Sequence, residues 1–260
     1  FDLLIPVLVV VLTLYPLSLF IQSQFDMLIP QAIMSLFKPL VSAADSLPAI
    51  LLAVLIGHLL WFAGIHGAAI VSGMLQMFWL TNLGLNQTAL AQGAPLPHIF
   101  MEAFWTFFIV VGGSGATMGL VFCYLRSRSA HLRSIGRLSV VPSLFNINEP
   151  VIFGTPIVMN PVFFIPFLLA PMVNAILAWA AMKLDLIGRV ISVVPWTAPA
   201  PIGGAWALGW DFRAAILVVL LVCVSAVIYY PFFKVYEKQL LEQEDEEAQR
   251  AAAEESQQVA

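Results

Sequence analysis

A single carboxylate interrupts one long apolar stretch of this sequence. Glu149 is the only formally charged residue between Arg137 and Lys183, in a segment otherwise apolar enough for a bilayer. An ionised carboxylate near the centre of a bilayer costs about 2.5–3.5 kcal/mol on insertion scales. Because a compensating interaction must offset that cost, we expect Glu149 to bind a solute.

Other polar side chains in the apolar part of the chain are candidates for the same site. They are His58, His66, Gln76, Asn82, His98, Glu102, Asn146, Asn148, Asn174 and Trp196. Carboxylates and amides exchange hydrogen bonds with hydroxyl groups, and an aromatic face stacks on a sugar ring. Because this set contains no lysine or arginine, it favours a neutral, polyhydroxylated solute over an anion.

Several of these residues also have a purely structural interpretation. His66 stands at a helix break, where an imidazole can cap backbone groups, but the rarity of histidines inside membranes favours a functional role. His98 and Glu102 lie one turn apart near a membrane interface, so a structural role is favoured for both. For His58 and Trp196 the two interpretations weigh equally.

The sequence predicts neither a metal nor another cofactor. The spacings HxxxH and HExxH and paired cysteines are absent, and the glycine-rich residues 111–119 lack the lysine of a phosphate-binding loop. Cys123 and Cys223 lie in apolar segments and are interpreted as small buried hydrophobes. No nucleic-acid partner is expected.

Composition indicates an all-α polytopic membrane protein. Hydrophobic residues make up 61% of the chain and charged residues 10%, against about 25% charged in soluble domains. The apolar runs predict about five full spans, together with re-entrant hairpins and an interfacial amphipathic helix. The five spans are assigned to residues 3–21, 47–65, 98–125, 158–182 and 214–233.

Three further segments are too short or too irregular to cross a bilayer. Residues 68–81 would form only about 21 Å of helix, and a polar loop is predicted over residues 82–97. Residues 139–157 and 190–210 are interrupted by proline and glycine, and such backbone survives at membrane depth only where protein or a wet cavity satisfies it. We expect all three to be re-entrant or broken helices.

Two signals set the expected packing and orientation. Gly112 with Ala116, and Gly115 with Gly119, have the spacing that lets membrane helices approach closely. The four arginines within residues 126–137 form one dense basic loop, which the positive-inside rule assigns to the cytoplasm. The charged tail would then be cytoplasmic as well.

Four motifs resemble the sugar permease component, enzyme IIC, of the bacterial phosphoenolpyruvate-dependent phosphotransferase system. They are GIHG (64–67), GGSGAT (112–117), SLFNINEPVIFGTPIVMNP (143–161) and PWTAPAPIGGAWALGWDFRAA (195–215). The nearest branch is the lactose, cellobiose and diacetylchitobiose type. The resemblance implies that a disaccharide such as cellobiose crosses the bacterial cell (inner) membrane by an elevator-like movement. A cytoplasmic enzyme IIB, phosphorylated on cysteine, then phosphorylates it.

The resemblance also implies a domain layout and a homodimer. We expect the chain to be the C-terminal part of a longer protein whose N-terminal half forms the dimer contact. Residues 1–21 would be the last span of a scaffold domain, and residues 22–45 an amphipathic linker helix. Residues 46–233 would form the transport domain with its hairpins, and residues 234–260 the charged cytoplasmic tail.

The resemblance places the site residues as well. It implies that His66, Asn148, Glu149 and Trp196 bind the sugar. Asn82 and Asn146 are added as expected sugar ligands because they are polar residues in the apolar part of the chain. Glu149 would bind the hydroxyl to be phosphorylated and accept its proton. Neither Cys123 nor Cys223 is expected to be the phosphorylated cysteine, because both lie in membrane helices.

Two other functions remain open at this point. An ion-coupled secondary transporter for a neutral polar solute would use Glu149 as a proton carrier. An intramembrane enzyme would use Glu149 and His66 as an acid–base pair.

Overall fold

The computed structural model describes residues 4–25 and 45–259, and every regular element in those ranges is a helix. The prediction of an all-α protein is therefore confirmed. Helix α1, Leu4–Phe25, belongs to a separate unit and leaves most of its described apolar side chains exposed. Most of the amphipathic linker predicted over residues 22–45 lies outside the described residues.

The chain from Asp45 onward forms one compact unit. Its helices are α2 (Leu47–Phe62), α3 (Gly67–Ala91), α4 (Glu102–Phe104), α5 (Met118–Leu125), α6 (Ala130–Leu144), α7 (Glu149–Gly154), α8 (Pro161–Lys183), α9 (Ala200–Ala207) and α10 (Phe212–Val259). A π-helical turn, Trp105–Ile109, continues α4. Of the described helices, α3, α8 and α10 are long and apolar enough to cross a membrane, and α2 is apolar but shorter.

The prediction for residues 68–97 was wrong. A single helix, α3, runs through the apolar segment 68–81 and through most of the loop predicted over 82–97. Asn82 donates to a backbone carbonyl just before α4, at 3.2 Å. Asn86 donates to that same segment and to the irregular segment before α9, at 2.9 Å each. These two amides lie one turn apart on one helix face and donate to backbone carbonyls outside helices. The polar residues of this segment therefore hold neighbouring segments against α3 and do not mark a loop.

The span predicted over residues 98–125 is also broken in the structure. Between the π-helical turn and α5, residues 110–117 leave the helix and form a glycine-rich turn. Gly112, Gly113 and Gly115 in this turn have φ angles of +77°, +100° and +83°. These values lie in the left-handed region, which glycine adopts without steric cost. The predicted close packing is confirmed at Gly119, where an added Cβ would lie 2.3 Å from the backbone of α10.

The two segments with interrupted backbone flank α8. In the first, α6 ends in a turn and the six-residue α7 follows; in the second, the irregular residues 184–199 lead to the eight-residue α9. Neither α7 nor α9 is long enough to cross a bilayer. Between them, α8 packs on α2 and α10. Its buried residues share a core with α5 and α10 that contains Tyr124, Phe163, Phe167, Tyr229 and Phe233.

The C-terminal tail continues α10 as one helix and holds the basic loop. The carboxylate of Glu237 accepts hydrogen bonds from the Ser127 hydroxyl at 2.6 Å and from the Arg128 backbone at 2.7 Å. Glu244 accepts from the Ser129 hydroxyl at 2.6 Å. The basic loop and the tail therefore lie on the same side of the unit, as the sequence predicts.

Candidate solute-binding site

A cavity of about 320 Å³ opens where α3, α4, the glycine-rich turn, α7 and the segment before α9 meet. Its size falls within the range of about 300–1,000 Å³ that ligand pockets occupy. Of the six expected sugar ligands, five line this cavity: His66, Asn146, Asn148, Glu149 and Trp196. These five residues come from three separate segments of the chain.

Glu149 is the first residue of α7 and is exposed on the cavity wall. Its carboxylate makes no hydrogen bond or ion pair with any residue that the structure describes. The residues that line the cavity, all of them described, include no lysine or arginine. Glu149 therefore has both oxygens available to accept hydrogen bonds from an uncharged solute.

Asn148 joins α7 to the glycine-rich turn. Its buried amide nitrogen donates to the Ser114 carbonyl at 2.6 Å and to the Thr117 hydroxyl at 2.9 Å. Gly113 lies so close that an added Cβ would be 2.3 Å from the Asn148 side chain. Because both amide hydrogens are used, only the carbonyl oxygen of Asn148 is left to meet a solute.

Asn146 connects the turn before α7 to two other segments. It adopts a left-handed φ of +61°, which asparagine tolerates better than most residues. Its side-chain oxygen accepts from the Gly112 backbone at 3.1 Å, and its nitrogen donates to the carbonyls of Trp196 and Ala198 at 2.8 and 3.0 Å. These bonds position Trp196; direct contact of Asn146 with a solute stays a prediction.

His66 is both a cap and a cavity residue. Its Nδ1 accepts a hydrogen bond from the Ala69 backbone at 3.1 Å, which caps the start of α3. Because Nδ1 accepts, the proton of the neutral ring lies on Nε2, and that N–H is a donor for a solute. The ring packs against the indole of Trp61, with 4.4 Å between centroids.

The remaining ligand predicted from sequence lies elsewhere. Asn82 is buried and bonds the Phe100 carbonyl, and it does not line the cavity. His98 has the structural role that was favoured for it, since its ring contacts Asp45 at 3.4 Å and its backbone N–H bonds Asn86.

Comparison with known proteins decides the family. The family model described as phosphotransferase system, EIIC matches residues 1–171. This chain belongs to the phosphotransferase system EIIC family. It is 40% identical over 203 residues to the lichenan permease IIC component of Bacillus subtilis (strain 168), covering 77% of this chain and 45% of that protein. It is 37% identical over 237 residues to the PTS system lactose-specific EIICB component of Staphylococcus aureus (strain N315), covering 91% and 42%.

A solved structure supports the same family assignment. The crystal structure of the transporter ChbC, the IIC component from the N,N'-diacetylchitobiose-specific phosphotransferase system, matches this EIIC chain with a TM-score of 0.77 and 38% identity. The match covers 93% of this chain and 57% of that one. The chain thus spans about half the length of the relatives it matches.

Several cavity residues of this EIIC chain were not among the expected ligands, and the three with the largest side chains for a solute to meet are Glu102, Trp61 and Trp105. Glu102 was given a structural role, yet its carboxylate lines the cavity, as do the indoles of Trp61 and Trp105. For Glu102 a signal was present, because it is a carboxylate inside the predicted span 98–125 and such a residue is costly in a membrane. For Trp61 and Trp105 the sequence gives no such signal, because a tryptophan in an apolar helix has the same sequence context whether it packs in a core or lines a cavity.

Proposed function

We propose that this chain forms the sugar-binding part of an enzyme IIC, the membrane permease of a phosphotransferase system. It binds a β-linked disaccharide such as cellobiose, lactose or diacetylchitobiose and carries it across the bacterial cell membrane. The observation that supports this most directly is the cavity itself. It combines the unpartnered carboxylate of Glu149 with a donor at His66 and an exposed indole at Trp196, and its lining holds no cationic side chain.

Each group has a distinct role in this proposal. Glu149 accepts a hydrogen bond from the hydroxyl that is to be phosphorylated. The Nε2–H of His66 donates to a neighbouring sugar oxygen, and the Asn148 carbonyl accepts from another hydroxyl. Trp196, with 53% of its surface exposed, offers an apolar face to a sugar ring.

The same arrangement supports the chemical step. The sugar hydroxyl attacks the phosphorus of the cysteine-bound phosphate on enzyme IIB, forming an O–P bond as the P–S bond breaks. The thiolate of enzyme IIB leaves, and Glu149 takes the hydroxyl proton as general base. The phosphoryl group comes from the partner, so this chain needs no cysteine or cofactor of its own.

The wider assembly completes the proposal. The permease is a homodimer in the bilayer, with its tail and basic loop in the cytoplasm. The compact unit that starts at Asp45 supports a transport domain over residues 46–233 that moves as a body. Residues 1–21 then belong to the scaffold, and residues 22–45 link the two.

Replacement of Glu149 by glutamine tests the function. The intact permease is assayed in membranes with enzyme IIB and phosphoenolpyruvate, using cellobiose, lactose and diacetylchitobiose. We expect Glu149→Gln to lose phosphorylation by about a hundredfold or more, because general-base catalysis contributes roughly 10²–10⁴-fold. Glu242→Gln, the same change on the exposed tail, is the control and should retain wild-type phosphorylation.

Two results would count against the proposal. A Glu149→Gln permease that binds and phosphorylates sugar as well as wild type removes the role of Glu149. Uptake that stops with an uncoupler but continues without phosphoenolpyruvate identifies an ion-coupled transporter instead.

A further inference from the structure

Glu102 is a second carboxylate on the cavity wall. It begins α4, is partly buried, and its Oε2 accepts a hydrogen bond from Gln76 Nε2 at 3.4 Å. Its Oε1 makes no hydrogen bond to any residue that the structure describes. One oxygen is thus oriented by α3, and the other is left to accept a hydrogen bond.

Glu102 and Glu149 line the cavity from two different elements, α4 and α7. On one wall, Glu102, Thr106 and Val110 line the cavity at four-residue spacing, and the wall continues into Gly113. That last glycine packs against Asn148, the neighbour of Glu149. Eight residues separate Glu102 from Val110, which places Glu102 on the order of 10 Å along this wall from the start of the glycine-rich turn.

On the α3 side of the cavity the chain runs in the opposite direction. His66, Ala69 and Ser72 line it in that order, and Gln76 follows one turn later beside Glu102. At the other end, the Met159 N–H donates to the Phe62 carbonyl at 3.2 Å, so the turn that carries His66 packs near the segment after α7. His66 therefore belongs to the Glu149 end and Gln76 to the Glu102 end.

We propose that Glu102, oriented by Gln76, binds the second ring of the disaccharide and determines specificity for it. This inference rests on the proposed function, in which the Glu149 end holds the ring that is phosphorylated. The free Oε1 accepts a hydrogen bond from a hydroxyl of the second ring. The indole of Trp105 lines the cavity beside it and offers an apolar surface.

A neighbouring cavity does not provide an alternative site. Glu102 also borders a cavity of about 20 Å³, whose other lining residues include Trp79, Met101 and Val190. That volume holds about one water molecule. A sugar ring therefore reaches Glu102 only from the larger cavity.

The experiment separates a ligand contact from a purely structural role by changing the sugar as well as the protein. The intact permease is titrated with whichever of cellobiose, lactose and diacetylchitobiose it binds most tightly. It is then titrated with analogues that lack one hydroxyl of the second ring or of the first. Wild type, Glu102→Ala, Glu102→Gln and the control Glu242→Gln are compared.

We expect wild type to bind one second-ring deoxy analogue about tenfold more weakly than the parent sugar, as the loss of a hydrogen bond to a charged group implies. Glu102→Ala should bind the parent sugar about tenfold more weakly and no longer distinguish that analogue from it. For Glu102→Gln, the ratio of the Kd of that analogue to the Kd of the parent sugar should lie between the ratios of wild type and Glu102→Ala. For first-ring analogues, the ratio of the Kd of the analogue to the Kd of the parent sugar should match the wild-type ratio in every variant.

Other outcomes overturn the inference. If Glu102→Gln and Glu102→Ala keep the wild-type ratios for every second-ring analogue, Glu102 is structural only. If first-ring ratios change instead, Glu102 belongs to the phosphorylated ring. A wild type that binds none of the three disaccharides refutes the proposed function itself, which is a different result from unchanged ratios.

Discussion

Replacing Gly113 by alanine should damage the proposed sugar site without replacing any proposed ligand. Gly113 has a φ of +100°, and a Cβ there would lie 2.3 Å from Asn148 Cγ and 2.5 Å from its Oδ1. No rotation of the alanine methyl relieves such a contact. Asn148 must therefore leave its bonds to Ser114 and Thr117, and α7 loses its attachment to the glycine-rich turn.

The expected cost follows from these two effects. A non-glycine residue at a left-handed φ costs about 1–3 kcal/mol. Each of the two lost hydrogen bonds contributes about 0.5–1.5 kcal/mol. Together they should lower the free energy of unfolding by on the order of 3 kcal/mol. Because Asn148 adjoins Glu149, we also expect sugar affinity to fall about tenfold.

Two other glycines separate these effects. Gly93 has a φ of +65° with nothing within 4 Å of an added Cβ, so Gly93→Ala introduces backbone strain alone. Gly73 lies in α3 with equally open surroundings and no positive φ, so Gly73→Ala should be neutral or stabilising by up to about 1 kcal/mol. The expected order of stability is Gly73→Ala, then Gly93→Ala, then Gly113→Ala.

Thermal unfolding of the purified permease and sugar titration test this order. If Gly113→Ala unfolds at the same temperature as Gly93→Ala and binds sugar as wild type does, the clash with Asn148 has no consequence. The account of Asn148 as the residue that joins α7 to the turn would then be refuted.

Three further changes have expected outcomes. His66→Asn keeps a side-chain oxygen for the start of α3 but removes the Nε2–H donor, so thermal stability should stay within about 0.5 kcal/mol while sugar titration shows about tenfold weaker binding. Asn146→Asp keeps the shape but cannot donate to the two carbonyls near Trp196, so binding should weaken about tenfold and indole fluorescence should lose its response to sugar. Wild-type sugar affinity in His66→Asn, or wild-type affinity and fluorescence response in Asn146→Asp, would contradict the respective expectation. The Arg213 guanidinium holds the pKa of Asp211 below its ordinary value of 3.8. The stability from this pair is therefore complete above that value and lost as pH falls through the lower folded pKa. Asp211→Asn should flatten the dependence of the unfolding temperature on pH below about 4, and an unchanged slope would refute this.

The sequence was most informative where a residue type is costly in a membrane. Glu149 was identified because an intramembrane carboxylate requires a reason, and Trp196 because its proline-rich setting cannot form a lipid-exposed helix. The structure brings both to one cavity with His66 and Asn148. These predictions depended on free-energy costs that hold in any fold.

Prediction failed where one residue type serves two purposes. The amides of α3 looked like a loop because local polarity does not reveal which distant carbonyls they satisfy; Asn86 donates to Val190, 104 residues away. The glycines of residues 112–115 were assigned to helix packing, and the positive φ angles that break the span depend on tertiary contacts. The position of Glu102 on the cavity wall was not predicted for a similar reason, since it depends on how the chain folds.

The bonds made by Asn146 have a mechanical consequence. One side chain ties the backbone at Gly112 to the backbone at Trp196 and Ala198, and none of these three positions lies in a helix. Irregular segments ordinarily deform before helices do, yet here they are joined directly to one another. We therefore expect a displacement of the turn before α7 to carry the Trp196 backbone with it, so that Trp196 and Glu149 move together.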